Sequence, residues 1–274
     1  MTLYKPFLSP ERNAMVKPFE HADRIAVGFA MDYSGGLTTG MHYHPRAQLI
    51  YAITGVMKIE TEDAFFVVPP TNALLLPENV SHSITMEGDV AMRELFLHQD
   101  VAKSLGQQIR VMTVGALFRE LMVAICKEPV DWNVSGRAQH IVALIIDEIN
   151  RAQSLPTQLP LPKDARVLSV AREIIQKPYD VRSLEDWAEI CGASSRTVAR
   201  LFLSETGMSF GQWRLQARLN AGFVLLMIDG NIPRIAEAVG FSSQSAFGVA
   251  FRRTFGLTPG QARNLHVRPG RLSS

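Results

Sequence analysis

The sequence predicts an α+β protein of several domains, with a small β-barrel first, a helical connector next and an all-α module last. Three observations predict it. Short β-branched and aromatic runs separated by Gly, Pro, Asn and Asp fill residues 1 to about 100. From residue 101 the apolar residues recur at helical rather than strand spacing. From Ser183 to Arg263 the chain writes one short-helix, glycine-turn, second-helix design twice. These shifts place the domains at 1–100, 101–158 and 159–274.

The strand candidates are Arg24–Ala30, Gln48–Ile53, Val56–Thr61, Ala64–Val68, Ala73–Leu76 and Arg93–Leu97. Their spacing of about ten residues suits a small barrel or sandwich. Pro45, Pro69, Pro70 and Pro77 fall between the runs, where a missing N–H costs least. In the connector, Val114, Leu117, Phe118, Leu121, Met122 and Ile125 form one helical stripe, and Ile141, Leu144, Ile145 and Ile149 form another. Two such helices suit either dimer contacts or closure of the barrel's open end. Gln153–Lys163 carries three prolines and reads as an extended, semi-rigid linker. After it, Asp164 can cap a helix that runs to about Gln176 and stops at Pro178.

Composition narrows the class. The 274 residues are 47% hydrophobic and 20% charged, ordinary for a soluble globular chain. No apolar run reaches the roughly 18 residues of a membrane span. Met1 to Pro6 lack a signal peptide's apolar centre, and two cysteines cannot build a disulfide framework, so a reducing cytoplasm is expected. The net charge of +2 hides an asymmetry: from Pro160 onward 15 Lys and Arg face 9 Asp and Glu, whereas before it 13 face 17. The basic half is the half that carries the repeat, as expected of a nucleic-acid module joined to something else.

Within the repeat, Leu184, Trp187, Ala188 and Cys191 precede Gly192, and Ile232, Ile235, Ala236 and Val239 precede Gly240 in the same spacing. The offset is 48 residues before the turn and 49 after it. Ser183 is an N-cap with Asp186 three residues on, and Ser194 or Ser195 caps the second helix. Val198, Leu201 and Phe202 go to the core, which turns Ser195, Arg196, Ala199 and Arg200 outward, where a second helix meets base edges in the major groove. The offset makes Gln244, Ser245, Gly248 and Val249 their counterparts. Arginine can hold guanine in a bidentate contact and Gln244 can read adenine, while Gly248 and Val249 only touch a thymine methyl or allow close approach. The first copy should therefore carry more of the sequence reading. Phe210–Ile228 reads as one helix fixing the two copies relative to each other, with Arg214 and Arg218 beside its apolar face as further DNA contacts. Arg252 and Arg253 are candidate phosphate contacts.

These residues resemble the AraC/XylS family of bacterial transcriptional regulators over roughly Leu168 to Arg263. The likeness rests on Ser183-Leu184 through Gly192-Ala193-Ser194, Phe202 through Gly207, Ile235-Ala236 through Phe241, and Phe251-Arg252-Arg253 through Pro259 and Arg263. Ala262 stands where the family usually has an aromatic. The resemblance implies a C-terminal DNA-binding domain and an N-terminal effector or dimerisation domain.

A second constellation lies in the strand-rich part. Gly36, His42, His44, Gln48 and Gly55 resemble in spacing the first motif of the cupin superfamily, with glutamine where that motif has glutamate. Pro77 through His82 resembles a weaker second motif, with Asn79 in place of its glycine. Histidines at i and i+2 point to one side of a strand, and His82 can join them from another. Three imidazoles with Gln48 as a weak fourth ligand would accept Zn²⁺, Ni²⁺ or Fe²⁺. Without a glutamate, oxygenase chemistry is disfavoured. The alternatives are that His42, His44, Arg46, Gln48 and His82 bind an organic effector without metal, or that the histidines only hold the barrel together. His21, His98, His140 and His266 lack partners at ligand spacing and are assigned nothing.

The expectation is a sequence-specific regulator without catalytic residues. Its barrel senses a small molecule or metal, and its partners are an operator duplex, a second copy of the chain and, for an activator, RNA polymerase, with no membrane. The rival is a cupin-type metalloenzyme, an isomerase or dioxygenase, fused to a helical docking domain.

Overall fold

The computed structural model describes residues 10–265 apart from 156 and 229, and it divides into two compact units, residues 1–61 with 68–156 and residues 62–67 with 157–274. The readings made of Met1 to Pro6 and of His266 lie outside the described residues.

The first unit opens with α1 (Pro10–Glu20), followed by β1 (Ala26–Tyr33), β2 (Ala47–Ala52), β3 (Val56–Thr61), then, beyond β4 (Ala64–Val68), β5 (Asn72–Leu76), β6 (His82–Glu87) and β7 (Val90–Leu97). After these come α2 (Gln99–Leu105), β8 (Arg110–Thr113), α3 (Ala116–Ile125) and α4 (Arg137–Arg151). An antiparallel sheet runs β1-β7-β2-β5-β8, and β3 pairs antiparallel with β6. Strand β6, absent from the sequence reading, alternates buried and half-buried residues because Ser83, Thr85 and Glu87 take the outer side.

The five-stranded sheet is covered on both faces, as the six buried residues of β2 require. Ladder partners share a face. Leu49, Tyr51, Leu95 and Leu97 meet Phe118, Met122, Ile141, Ile145 and Ile149 of α3 and α4. The helices come close enough that a Cβ at Gly28 would stand 2.7 Å from the Cys126 backbone nitrogen. Gln48, Ile50, Glu94 and Phe96 share the opposite face, which is the barrel interior. On that side Phe19 of α1 packs edge-on to Phe29, ring centroids 5.0 Å apart. The expected separate connector is thus corrected: residues 101–155 belong to the barrel's unit, because β8 extends the sheet and α3 and α4 supply nine of the 23 described buried residues of its core.

In the second unit β4 pairs with β9 (Leu159–Pro160), and seven helices follow: α5 (Ala165–Gln176), α6 (Leu184–Ile190), α7 (Ser195–Thr206), α8 (Phe210–Ile228), α9 (Ile232–Ala238), α10 (Gln244–Phe255) and α11 (Pro259–Leu265). The proline-rich stretch is not the spacer its composition suggests. The Leu155 N–H donates to the Val111 carbonyl in the first unit, and Leu159 and Pro160 pair with Phe65 and Ala64 in the second. Glu205 accepts from the backbone N–H groups of Lys163 and Asp164, and Trp213 Nε1 donates to the Pro160 carbonyl at 2.6 Å. Proline fixes φ but leaves its carbonyl free to accept, so a proline-rich strand can still be stitched down from one side.

Candidate DNA-reading face and candidate metal centre

Both copies of the repeat are built by the same local chemistry. Ser183 and Asp186 form a reciprocal capping box at the start of α6, and Asn231 caps α9 through the Arg234 N–H. Ser194 caps α7 through the Thr197 N–H, and Ser243 caps α10 through the Ala246 N–H. Each second helix ends on a left-handed glycine, Gly207 at φ 71° and Gly256 at φ 74°, which closes the last turn without a Cβ clash.

The buried faces fix the outward ones. Val198, Leu201 and Phe202 are buried, so Arg196 and Arg200 are exposed, with Ser195 and Ala199 half-buried between them. On α10 Phe247 and Phe251 are buried, and a Cβ at Gly222 would meet the Phe247 ring at 2.7 Å, so α8 and α10 touch through a glycine. Gln244, Ser245, Arg252 and Arg253 are exposed and Gly248 half-buried, while Val249 is 70% exposed, unusual for a side chain the hydrophobic effect would bury.

Two expected DNA contacts have other work. Arg218 donates to the carbonyls of Pro178, Asp180 and Gly240, and burial lowers its pKa, with nearby Arg214 adding to the effect. Arg214 donates to the Arg182 carbonyl and lies over the Phe210 ring at 5.2 Å. Arg182 in turn pairs with Asp180 and Glu173 and stacks on Trp187 at 3.7 Å. These arginines brace the loop before α6 onto α8. Arg218 in particular is a structural brace, because its Nε, Nη1 and Nη2 each already donate to a carbonyl. Spacing along one helix could not show that, since two acceptors come from chain about 40 residues earlier and the third from 22 residues later.

In the first unit His42, His44 and His82 converge, their candidate ligand atoms all within 4.8 Å of one another. His42 and His82 are held across a two-way backbone bridge, each N–H bonded to the other's carbonyl. The three Nδ1 atoms are engaged outward: His42 with the Gly40 carbonyl at 2.9 Å, His82 with the Val80 carbonyl at 2.9 Å, and His44 with Glu20 Oε1 at 2.5 Å. A carbonyl only accepts, so Nδ1 of His42 and His82 carries the hydrogen and Nε2 of the neutral ring is the lone-pair nitrogen. That is how proteins present histidine to a metal, with one nitrogen anchored to an acceptor and the other given to the ion. Nitrogens on a tetrahedral ion stand about 3.4 Å apart, so closing the cluster takes a movement on the order of 1 Å. The donor set fits a divalent transition metal.

The other expected site residues are placed differently. Arg46 is buried and donates to the carbonyls of Ala22 and Arg24, so it fastens the chain after α1. Burial lowers its pKa against the opposing pull of Asp23. Gln48, 2% exposed, donates its amide to Glu94 Oε1 at 3.3 Å. Sequence reasoning missed Glu20 and Glu94. Neither stands at a motif spacing: Glu20 reaches in from a helix, and Glu94 lies on a strand that becomes β2's neighbour only through the sheet topology. Cys126 is not among the converging candidate ligands; its Sγ donates to the Phe29 carbonyl at 3.4 Å, and burial pushes its thiol up to about 12.

Two exposed second helices on one scaffold, joined to a barrel with an interior polar site, define a DNA-binding transcriptional regulator with an effector-binding domain. Comparison with known proteins agrees. Residues 187–265 match the family described as "Helix-turn-helix domain", and residues 29–163 match "AraC-like ligand binding domain". The chain belongs to the AraC-type transcriptional regulators. It is 27% identical to HTH-type transcriptional regulator NimR of Escherichia coli K12 over 235 residues, 85% of this chain and 86% of NimR. It is 43% identical to HTH-type transcriptional regulator RipA of Corynebacterium glutamicum over 100 residues, 36% of this chain and 30% of RipA. A solved structure of ToxT from Vibrio cholerae covers 88% of this chain and 99% of its own at 13% identity and TM-score 0.37. The relatives are regulators, and the enzyme alternative is set aside on that ground. Among the described residues no helix is long and apolar enough to cross a membrane.

Proposed function

We propose that this regulator reads its operator through Arg196 and Arg200 on α7 and Gln244, Ser245 and Val249 on α10, with Ser195, Ala199 and Gly248 allowing close approach. Arg252 and Arg253 hold phosphates. The observation that carries the reading is the exposure of these side chains on helices whose opposite faces are buried and whose ends are capped. The 19 residues of α8 span about 28 Å, comparable to the roughly 34 Å between successive major grooves on one face of the duplex. We further propose that the barrel's effector is a divalent metal, Zn²⁺, Ni²⁺ or Fe²⁺, held by His42, His44 and His82, and that its occupancy shifts the balance between DNA-competent and incompetent states. The regulator acts in the cytoplasm as a homodimer and, where it activates, engages RNA polymerase.

A second reading has its own observation. A cleft of about 250 Å³ is lined by Ala47, Leu76, Glu78, Asn79, Ala102 and Lys103, and the Asn79 N–H donates to the His44 carbonyl. An organic anion paired with Lys103 there would press on the same histidine loop.

The test selects a duplex from a random pool with the purified chain and measures its binding by fluorescence anisotropy, with metal and with chelator. A metal effector should change the affinity by about 5- to 150-fold, and His82→Ala should abolish the metal response while retaining duplex binding. An unchanged affinity would leave the cleft as the effector site. Failure to bind any duplex in a salt-dependent way would remove the regulator reading.

A further inference from the structure

A divalent ion among three neutral imidazoles would carry two uncompensated charges into the barrel interior, and burying unpaired charge is costly. The usual remedy is a carboxylate in the ligand set, and position 48 holds glutamine. Yet two carboxylates are hydrogen-bonded to residues of the candidate donor set. Glu20 is on the Nδ1 of His44, and Glu94, 1% exposed, accepts from the Gln48 amide. Glu94, Gln48 and Phe96 share one face of the sheet, and the Phe96 ring lies 5.3 Å from His44.

The hydrogen bond fixes more than a contact. An ionised carboxylate only accepts, so the Gln48 amide must turn its Nε2 toward Glu94. The amide is planar, and its Oε1 then points away from Glu94. We propose that Gln48 and Glu94 act as one divided glutamate toward the metal that His42, His44 and His82 would hold. Gln48 supplies the oxygen donor. Glu94, on the adjacent strand, sets the orientation of that oxygen and contributes the negative charge, while Glu20 does the same for His44. Glu94 is a positioning residue rather than a ligand, and the charge of the ion is matched by two carboxylates one hydrogen bond behind the donors. The inference rests on the metal reading of the barrel and goes beyond it, because it assigns the site's charge balance to residues outside the histidine motif.

The experiment titrates the purified full chain with Ni²⁺ by calorimetry and records the visible spectrum of its Co²⁺ form. Glu94→Gln should weaken Ni²⁺ binding by about 10- to 100-fold, the usual cost of losing an outer partner, and should change the Co²⁺ bands. Gln48→Leu should cause a loss of similar size, and adding Glu94→Gln to it should cost little more, since the two act as a unit. The reversed pair, Gln48→Glu with Glu94→Gln, keeps the inter-strand hydrogen bond and should restore affinity to within about threefold. That rescue also shows that the single variants fail for want of charge, not of fold. Wild-type affinity and spectrum in Glu94→Gln, alongside lost binding in His82→Ala, would overturn the divided-glutamate proposal and leave the three-histidine site standing. Wild-type affinity in His82→Ala and His42→Ala would overturn both.

Discussion

The two copies of the repeat share a scaffold and differ in everything that faces away from its frame. Each second helix starts on a serine cap and ends on a left-handed glycine. Around that frame the first copy packs Phe202 against Phe210 and Trp213, with Trp187 buried nearby, whereas the second packs Phe223, Phe247, Phe251 and Phe255 in one cluster. Outward, the first shows two arginines and the second a glutamine, a serine and a valine. The difference teaches that backbone geometry is set by caps and glycines, while core and surface chemistry can diverge independently. Four changes should break or sharpen that separation.

The largest effect is expected in the first core. Trp213 is fully buried, packs 5.3 Å from Phe202 and donates to the Pro160 carbonyl. Trp213→Ala should destabilise the second unit by about 3–5 kcal/mol, read as a lower urea midpoint at unchanged slope. A loss under about 1 kcal/mol would show that the aromatic cores do not hold the frame.

Next come the arginines that the sequence could not sort. Arg218→Gln strips a charged donor from three carbonyls and should cost about 1.5–3 kcal/mol of stability. It should leave the salt dependence of duplex binding unchanged. Arg253→Gln and Arg252→Gln should do the reverse, with near-wild-type melting and a salt slope reduced by about 0.9 for each phosphate no longer neutralised. If Arg218→Gln flattens the slope as they do, its guanidinium reaches DNA after all and the brace is secondary.

That sorting shows where the sequence stopped being readable. The repeat was legible because its caps, turn glycines and buried positions are local and occur twice, so each copy confirmed the other. Most strands of the barrel were legible from runs and turns; β6 was not, because its Ser and Thr positions hide a strand that alternates toward the interior, and β8 and β9 were not, because they lie in stretches read as helical or as linker. What could not be read was contact between distant segments. Arg218 is held by loop carbonyls 22 to 40 residues away, Arg46 by Ala22 and Arg24, and Gln48 by Glu94 on the neighbouring strand. The histidines were found because a bridge joins two segments that each carry a recognisable spacing. Glu20 and Glu94 carry none.

Base reading in the first copy gives the third effect. Arg200→Ala should cost about 1–3 kcal/mol of discrimination at one base pair, seen as a guanine preference lost from the selected site with melting unchanged. Arg196→Ala should act at a neighbouring pair. A uniform loss across all sequences would make Arg200 a phosphate contact, and the first copy would then specify less than its charge suggests.

The smallest change tests whether the second copy reads at all. Val249 is too exposed to contribute to the core, and an apolar side chain held in water in the second turn of the helix proposed to face the groove would gain by meeting an apolar group on the duplex. The thymine methyl is the apolar group that the major groove offers. Val249→Ala should weaken binding by about 1 kcal/mol or less, and replacing the facing thymine by uracil should cost the wild-type chain about the same, near the 0.8 kcal/mol of one buried methylene. The two changes remove opposite sides of one contact, so together they should cost hardly more than either alone. Additive losses would mean that Val249 and the thymine methyl do not meet, and that the second copy serves to place the first.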